Sequence, residues 1–188
     1  TEAEPLAGAR ANHTADLLQD GRVLVAGGSD GPNTQIGGDA LLYDPQSDTW
    51  TATGPMVEPR IWAQSVQLHD GRVLVAGGMA LDDMPTNTFT ASAETYDPVS
   101  NTWSAAASLS QPRYAYSLER LPNGQVLAVG GARDWECCWN TDSFVRAIEV
   151  YDPATNQWRT VADLPQPRAY PATARLSDGR IWLSGGRT

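Results

Sequence analysis

Residues 20–28 read DGRVLVAGG, and residues 70–78 read DGRVLVAGG again. NGQVLAVGG at 123–131 and DGRIWLSGG at 178–186 are near copies. Self-similarity at a spacing of roughly fifty residues is the mark of a repeat architecture, in which each unit completes its core only against its neighbours. Inside each copy, Asp-Gly or Asn-Gly is a strong hairpin signal, because both residues tolerate the positive φ of a type I′ turn. The run RVLVA that follows is apolar and β-branched, so it predicts a strand buried on both faces. The Gly pair closing it predicts a place where backbones approach closely.

The repeat extends beyond these nine residues. Arg10, Arg60, Arg113 and Arg168 each precede the hairpin residue by ten positions and the first Gly of the pair by seventeen. YDPQSDTW (43–50), YDPVSNTW (96–103) and YDPATNQW (151–158) come later in the first three copies. Asp-Pro opens a turn, since Asp bonds the backbone ahead and Pro presets φ. Each unit therefore reads as four strands: one after the Arg, as in AQSVQL (63–68), one at RVLVA, one ending in Tyr-Asp-Pro, and one opening at Trp50, Trp103 or Trp158. No helical period is visible. Four short antiparallel strands per unit predict an all-β chain built of propeller blades.

The landmarks Pro-Arg, Gly-Gly, Tyr-Asp-Pro and Trp, recurring in register over nearly the whole chain, resemble the kelch repeat. DGRVLVAGG is most similar to bacterial kelch repeats and to the propeller of secreted galactose-oxidase-like proteins. The units are 10–59, 60–112 and 113–167, with a partial unit at 168–188 and residues 1–9 as the tail of a preceding fourth strand. That makes about three and a half blades, where kelch propellers have six or seven. The chain is then a segment of a longer propeller, one subunit of an assembly, or a small closed ring. Ile181, Trp182 and Leu183 form an apolar edge strand that more chain or another subunit must cover.

Composition narrows the function classes. The 188 residues carry a net charge of −9, and all thirteen basic residues are Arg. This balance, without a basic run, argues against nucleic acid. The lack of a long apolar run argues against membrane insertion. The start, TEAEPLAGAR, carries no visible leader, and a removed one stays open.

The resemblance implies that loops joining fourth to first strands and second to third strands share one face, which in the family commonly binds partners. That face gathers Trp62, Tyr114, Tyr116, Tyr170, Asp82, Asp83, Asp134, Trp135 and Trp139, with Asp30 and Phe89 nearby. Aromatic plates beside carboxylates suit sugar rings, or a protein partner with Arg anchors. Trp135 and Trp139 also serve if they only fold back on their own loop. Arg10, Arg60, Arg113 and Arg168 either ring the channel and bind an anion or, as one Arg per unit suggests, bond loop carbonyls between blades. Cys137 and Cys138 are adjacent: a strained vicinal disulfide, marking an oxidising compartment, or two free thiols.

A copper-radical oxidase needs two His, two Tyr and a Cys at one site. His13 and His69 fall at opposite ends of their strands and cannot share a metal. A sialic-acid isomerase needs loop Arg and Glu; Glu58 and Glu136 are candidates without visible pairing. Glu94 and Glu149, two before the third-strand Tyr, read as solvated positions. Asn12-His13-Thr14 fits a glycosylation acceptor. The sequence thus predicts a non-catalytic kelch module, without metal or cofactor, for binding or assembly. Its expected partners are a protein or further copies of itself, with carbohydrate as a further ligand, in an extracellular or cell-surface setting. The alternative is the propeller part of a secreted carbohydrate-active enzyme whose chemistry lies elsewhere.

Overall fold

The structure is a computed structural model and describes residues 3–6, 8–30, 38–80, 88–134 and 141–188. Trp135, Cys137, Cys138, Trp139, Glu136, Asp82 and Asp83 lie outside the described residues. The first blade runs β1 (Thr14–Leu17), β2 (Val23–Ala26), β3 (Ala40–Asp44), β4 (Thr49–Ala52) as consecutive antiparallel neighbours. The second blade has the same order in β6 (Gln64–Gln67), β7 (Val73–Ala76), β10 (Ala93–Asp97) and β11 (Thr102–Ala106). The third uses β12 (Ser117–Arg120), β13 (Val126–Val129), β14 (Ala147–Asp152) and β15 (Gln157–Asp163). The fourth unit supplies β16 (Ala172–Arg175) and β17 (Ile181–Ser184). A small extra sheet of β5 (Arg60–Ile61), β8 (Met79–Ala80) and β9 (Thr88–Phe89) rises above the second blade. The only helical piece among the described residues is a 3-10 turn at Thr141–Ser143.

First strands of successive units lie against one another, so β1, β6, β12 and β16 are the inner strands of the propeller. The cores lie between blades. Leu18, Leu24 and Ala26 of the first unit, with Met56 from the segment leading to Arg60, pack against Val73, Val75 and Tyr96 of the second. Leu68, Leu74 and Ala76 of the second, with Leu109 from the segment leading to Arg113, pack against Tyr116, Val126 and Tyr151 of the third. This is why RVLVA has no polar face: alternate residues feed the interface on either side.

The Tyr-Asp-Pro…Trp segment works as a latch on the preceding unit. Tyr96 donates its hydroxyl to Asn101 Oδ1 at 2.8 Å, and Tyr151 to Asn156 at 2.9 Å. Asn156 also accepts the Ala107 backbone N–H at 2.9 Å, while Trp158 Nε1 donates to the Ala107 carbonyl at 2.9 Å. The Tyr and Trp rings lie 5.1 Å apart in the third unit. The segment leaving the second blade is thereby held at both polar groups of the Ala107 main chain. Near the start, Glu4 occupies the corresponding place: its N–H reaches Asp48 Oδ1 at 2.8 Å and its carbonyl accepts from Trp50 Nε1 at 2.9 Å.

Glu94 and Glu149 overturn their reading as solvated positions. Both are only 1% exposed. Glu94 binds Arg60 at 2.9 Å and accepts the Val57 N–H at 2.7 Å. Glu149 binds Arg113 and accepts the Ser110 N–H at 2.9 Å. A carboxylate two residues before the Tyr thus ties the unit's Arg to the loop that precedes it. The residue alternation of a strand allowed either face, and the buried Arg decided which.

Candidate functional site

The four repeated Arg residues are built into the frame. Arg60 donates to the carbonyls of Gly77 (3.1 Å) and Ser92 (2.9 Å) besides its bond to Glu94. Arg113 donates to the carbonyls of Gly130 and Ala147, lies 5.9 Å from the Tyr116 ring centroid, and is fully buried. Burial lowers the Arg113 pKa, against the opposing pull of Glu149. It raises that of Glu94 despite Arg60. Arg10 reaches Gly27 O (2.7 Å) and Asp39, and Arg168 reaches Gly185 O (2.7 Å). The terminal nitrogens of Arg60 and Arg113 are spent on carbonyls, a hydroxyl and carboxylates, and the one donor of Arg113 without a partner, Nε, is buried away from any channel anion.

The residue after each Arg bridges back to the residue after the Gly pair. Ala11 and Ser29 exchange two backbone bonds (2.8 and 3.0 Å), as do Tyr114 with Ala132 (2.8 and 2.9 Å) and Ala169 with Arg187 (3.0 and 2.8 Å). Ile61 pairs with Met79 at the same register. The next residue must turn the chain into the inner strand, and it does so with positive φ: Asn12 (59°), Trp62 (54°), Ala115 (53°) and Tyr170 (54°). For bulky residues this region costs of order 1–2 kcal/mol, so the surrounding frame must enforce it. Trp62 N–H donates to the Asn12 carbonyl (3.0 Å) and Tyr170 N–H to that of Ala115 (2.6 Å), joining neighbouring units main chain to main chain.

These positions line a cleft of about 490 Å3 with Gln64, Tyr114, Tyr116 and Pro171. Its rim is aromatic. Tyr114 stacks on Phe89 (4.5 Å, 18°), meets Tyr170 edge-on (6.5 Å, 89°) and lies 6.2 Å from Trp62. Ile61, Met79, Ala132 and Phe144 pack beneath as a small core separate from those between the blades. Tyr170 is 63% exposed and Trp62 half-buried, so these two rings face a ligand most directly.

The structure brings Trp62, Tyr114 and Tyr170 together. Tyr114 is buried and supports the rim. Tyr116 also lines the cleft, but it is buried in the packing between second and third units, and its hydroxyl donates to the Ala76 carbonyl at 2.7 Å. Burial pushes that hydroxyl's pKa far up. Asp134 is half-buried, and its carbonyl accepts from the Tyr114 hydroxyl at 3.4 Å. Asn12, Gln64, Ala115 and Pro171 are lining residues that sequence reasoning missed. For Asn12 and Ala115 the signal was a register, two residues after each Arg, that also holds Trp62 and Tyr170.

The chain matches the Kelch motif over residues 10–57, 64–110 and 122–165. It is 31% identical over 152 residues to the spermatocyte protein spe-26 of Caenorhabditis elegans, covering 80% of this chain and 25% of that protein. It is 31% identical over 147 residues to alpha-scruin of Limulus polyphemus (77% and 15%). To Kelch-like protein 36 of Mus musculus it is 28% identical over 153 residues (81% and 24%). The chain therefore spans a quarter or less of the length of these relatives. Among solved structures it is similar to YjhT, with a TM-score of 0.79, 16% identity, and 99% of this chain and 62% of that one covered. The matched motifs and the four-stranded blades agree, and the chain belongs to the kelch-repeat family.

Proposed function

We propose that this chain is a non-catalytic binding module and that the cleft at Trp62 and Tyr170 is its contact surface for a protein partner. The observation carrying this reading is the cleft's composition. Its described lining is aromatic, carboxamide and small apolar, with no carboxylate, His or Cys to move a proton near neutrality. An exposed ring, Tyr170, beside a half-buried one, Trp62, is the kind of anchor that dominates protein interfaces. The Kelch-like relatives support a protein-interaction role. The extracellular or cell-surface setting belongs to the same proposal and rests on the resemblance to secreted propellers.

The test is a displayed peptide library selected on the 188-residue chain, followed by calorimetry of the enriched peptide on wild type, Tyr170→Ala and Trp62→Ala. A loss of tenfold or more in affinity in each variant is expected, as for interface anchors. Equal affinity in all three sinks the assignment of the cleft. A glycan array signal that depends on the same two residues, without peptide binding, would move the reading to carbohydrate.

A further inference from the structure

Three of the four hairpins that follow the inner strands close on a charged pair. Asp20, Asp70 and Asp178 each accept the N–H of the Arg two residues on (3.0, 3.1 and 3.1 Å), and each holds that guanidinium at 2.7 Å. The third unit builds the same turn without charge. Asn123 Oδ1 accepts the Gln125 N–H at 3.1 Å, and the Asn123 carboxamide donates to that of Gln125 at 2.9 Å.

The missing Arg matters to a second residue. The Asp of each Tyr-Asp-Pro segment caps its own turn: Asp44 accepts from Gln46 N–H (2.8 Å), Asp97 from Val99 (2.8 Å) and Asp152 from Ala154 (2.9 Å). In the first two units the hairpin Arg also serves this carboxylate. The Arg22 pKa is raised by its bond to Asp20 and further by the charge of Asp44; that of Arg72 is raised by its bond to Asp70 and further by the charge of Asp97. Asp152 has in that place only the neutral Gln125 carboxamide, whose Nε2 donates to its Oδ2 at 3.4 Å. A Gln side chain ends short of an Arg, and a cleft of about 370 Å3 opens beside it. Its walls are Asn123, Gln125, Asp152 and Pro153 of the third unit with His69 and Asp70 of the second. The imidazole stands against Gly124, where a β-carbon would lie 3.4 Å from Nδ1. Asp70 is already paired with Arg72, so Asp152 is the carboxylate of the lining that forms no ion pair among the described residues. Both walls belong to units whose four strands are all present, and the cleft lies at the opposite end of β6 from Trp62.

We propose that this cleft is a guanidinium site, which takes from outside the chain the group that the other hairpins supply from within. A planar fork bonds Asp152 Oδ2, and the carboxamide oxygens of Asn123 and Gln125, each with a second lone pair, stand in the lining for its remaining donors. An Arg side chain of a partner protein and free arginine offer the same chemistry. The site is independent of the cleft at Trp62 and does not require that cleft to bind anything.

The chain has two His, so the His69 ring is a separate probe, assigned with a His13→Gln variant. The test titrates N-acetylarginine methylamide, and its lysine analogue, at fixed pH and ionic strength while the imidazole carbon–proton resonances are recorded. A saturable shift of His69 without one of His13 is expected. Binding should be about fivefold weaker or more for the lysine analogue, which lacks the fork, and for the arginine compound on Asp152→Asn. The double variant Asn123→Asp with Gln125→Arg writes the third hairpin as the others are written. It should fill the cleft from within and weaken binding about tenfold or more. Circular dichroism checks that both variants keep their β-structure, and Asp152→Asn decides alone if the double variant does not fold. Free arginine separates the sources: binding tighter than that of the blocked compound assigns the site to the amino acid, and equal or weaker binding assigns it to a partner's side chain. No saturable shift of His69, equal binding of the two analogues, or undiminished binding in a folded variant overturns the proposal.

Discussion

Gly77 and Gly185 stand at the same place in their units, with φ of 62° and 65°, yet one is sealed by the Arg113 carbonyl and the other is open. Arg113 and Arg10 make a second such pair. Arg113 shares a buried carboxylate, Glu149, whereas Arg10 pairs at 2.7 Å with Asp39, whose side chain is 56% exposed. The position of Glu94 and Glu149 is Leu41 in the first unit. Identical landmarks therefore sit in different energetic settings according to what lies beside them. The repeat encodes interfaces rather than free-standing blades, which is how repeat proteins distribute their stability.

Three experiments would break or sharpen this contrast. The largest effect is expected from Glu149→Gln, which leaves Arg113 buried without its counter-charge. Urea unfolding should show a loss of roughly 3–5 kcal/mol, against under about 1 kcal/mol for Asp39→Asn in the exposed pair. Equal losses would mean that burial does not separate the two pairs. Next comes Gly77→Ala against Gly185→Ala. Both incur the same strain at positive φ, so it cancels in the comparison. The clash with the Arg113 carbonyl should make the first worse by roughly 1–3 kcal/mol.

The smallest effect concerns the inner strands. Asp16 reaches Ser65 of the next unit, its Oδ2 has no hydrogen-bond partner, and burial raises its pKa. Glu119 finds a hydroxyl in the matching place, Thr173, at 2.7 Å. A raised carboxyl pKa means that the folded state holds its proton more tightly than the unfolded chain. Stability from Asp16 is thus greatest at low pH and declines as pH rises from the ordinary carboxylate value through the raised one. Asp16→Asn should flatten that slope and gain of order 1 kcal/mol at neutral pH. An unchanged pH profile in urea unfolding would show that Asp16 is not the group responsible.

The blade order was legible because its signals are local: Asp-Gly turns, β-branched runs and Gly pairs each act within a few residues. The site was legible only in part. Trp62, Tyr114 and Tyr170 stand out as aromatics in loops, and the structure does bring them together. Asn12 and Ala115 share the same backbone geometry but carry nothing that marks them by type. Glu94 and Glu149 were misread because an acidic residue in a strand is ordinarily at the surface, and only the buried Arg from a loop 34 or 36 residues away reverses that expectation. Tyr116 lines the cleft as its loop position suggests, but most of its ring belongs to the inter-blade packing, which its sequence position does not reveal.

The backbone bridge after each Arg has one more consequence. Two main-chain bonds and a left-handed turn fix the position that follows, whether it holds Asn12, Trp62, Ala115 or Tyr170. The bonds that build the turn run main chain to main chain. Four interchangeable slots therefore surround one opening, and exchanging their occupants would rewrite what the opening recognises while leaving the folding problem as it was.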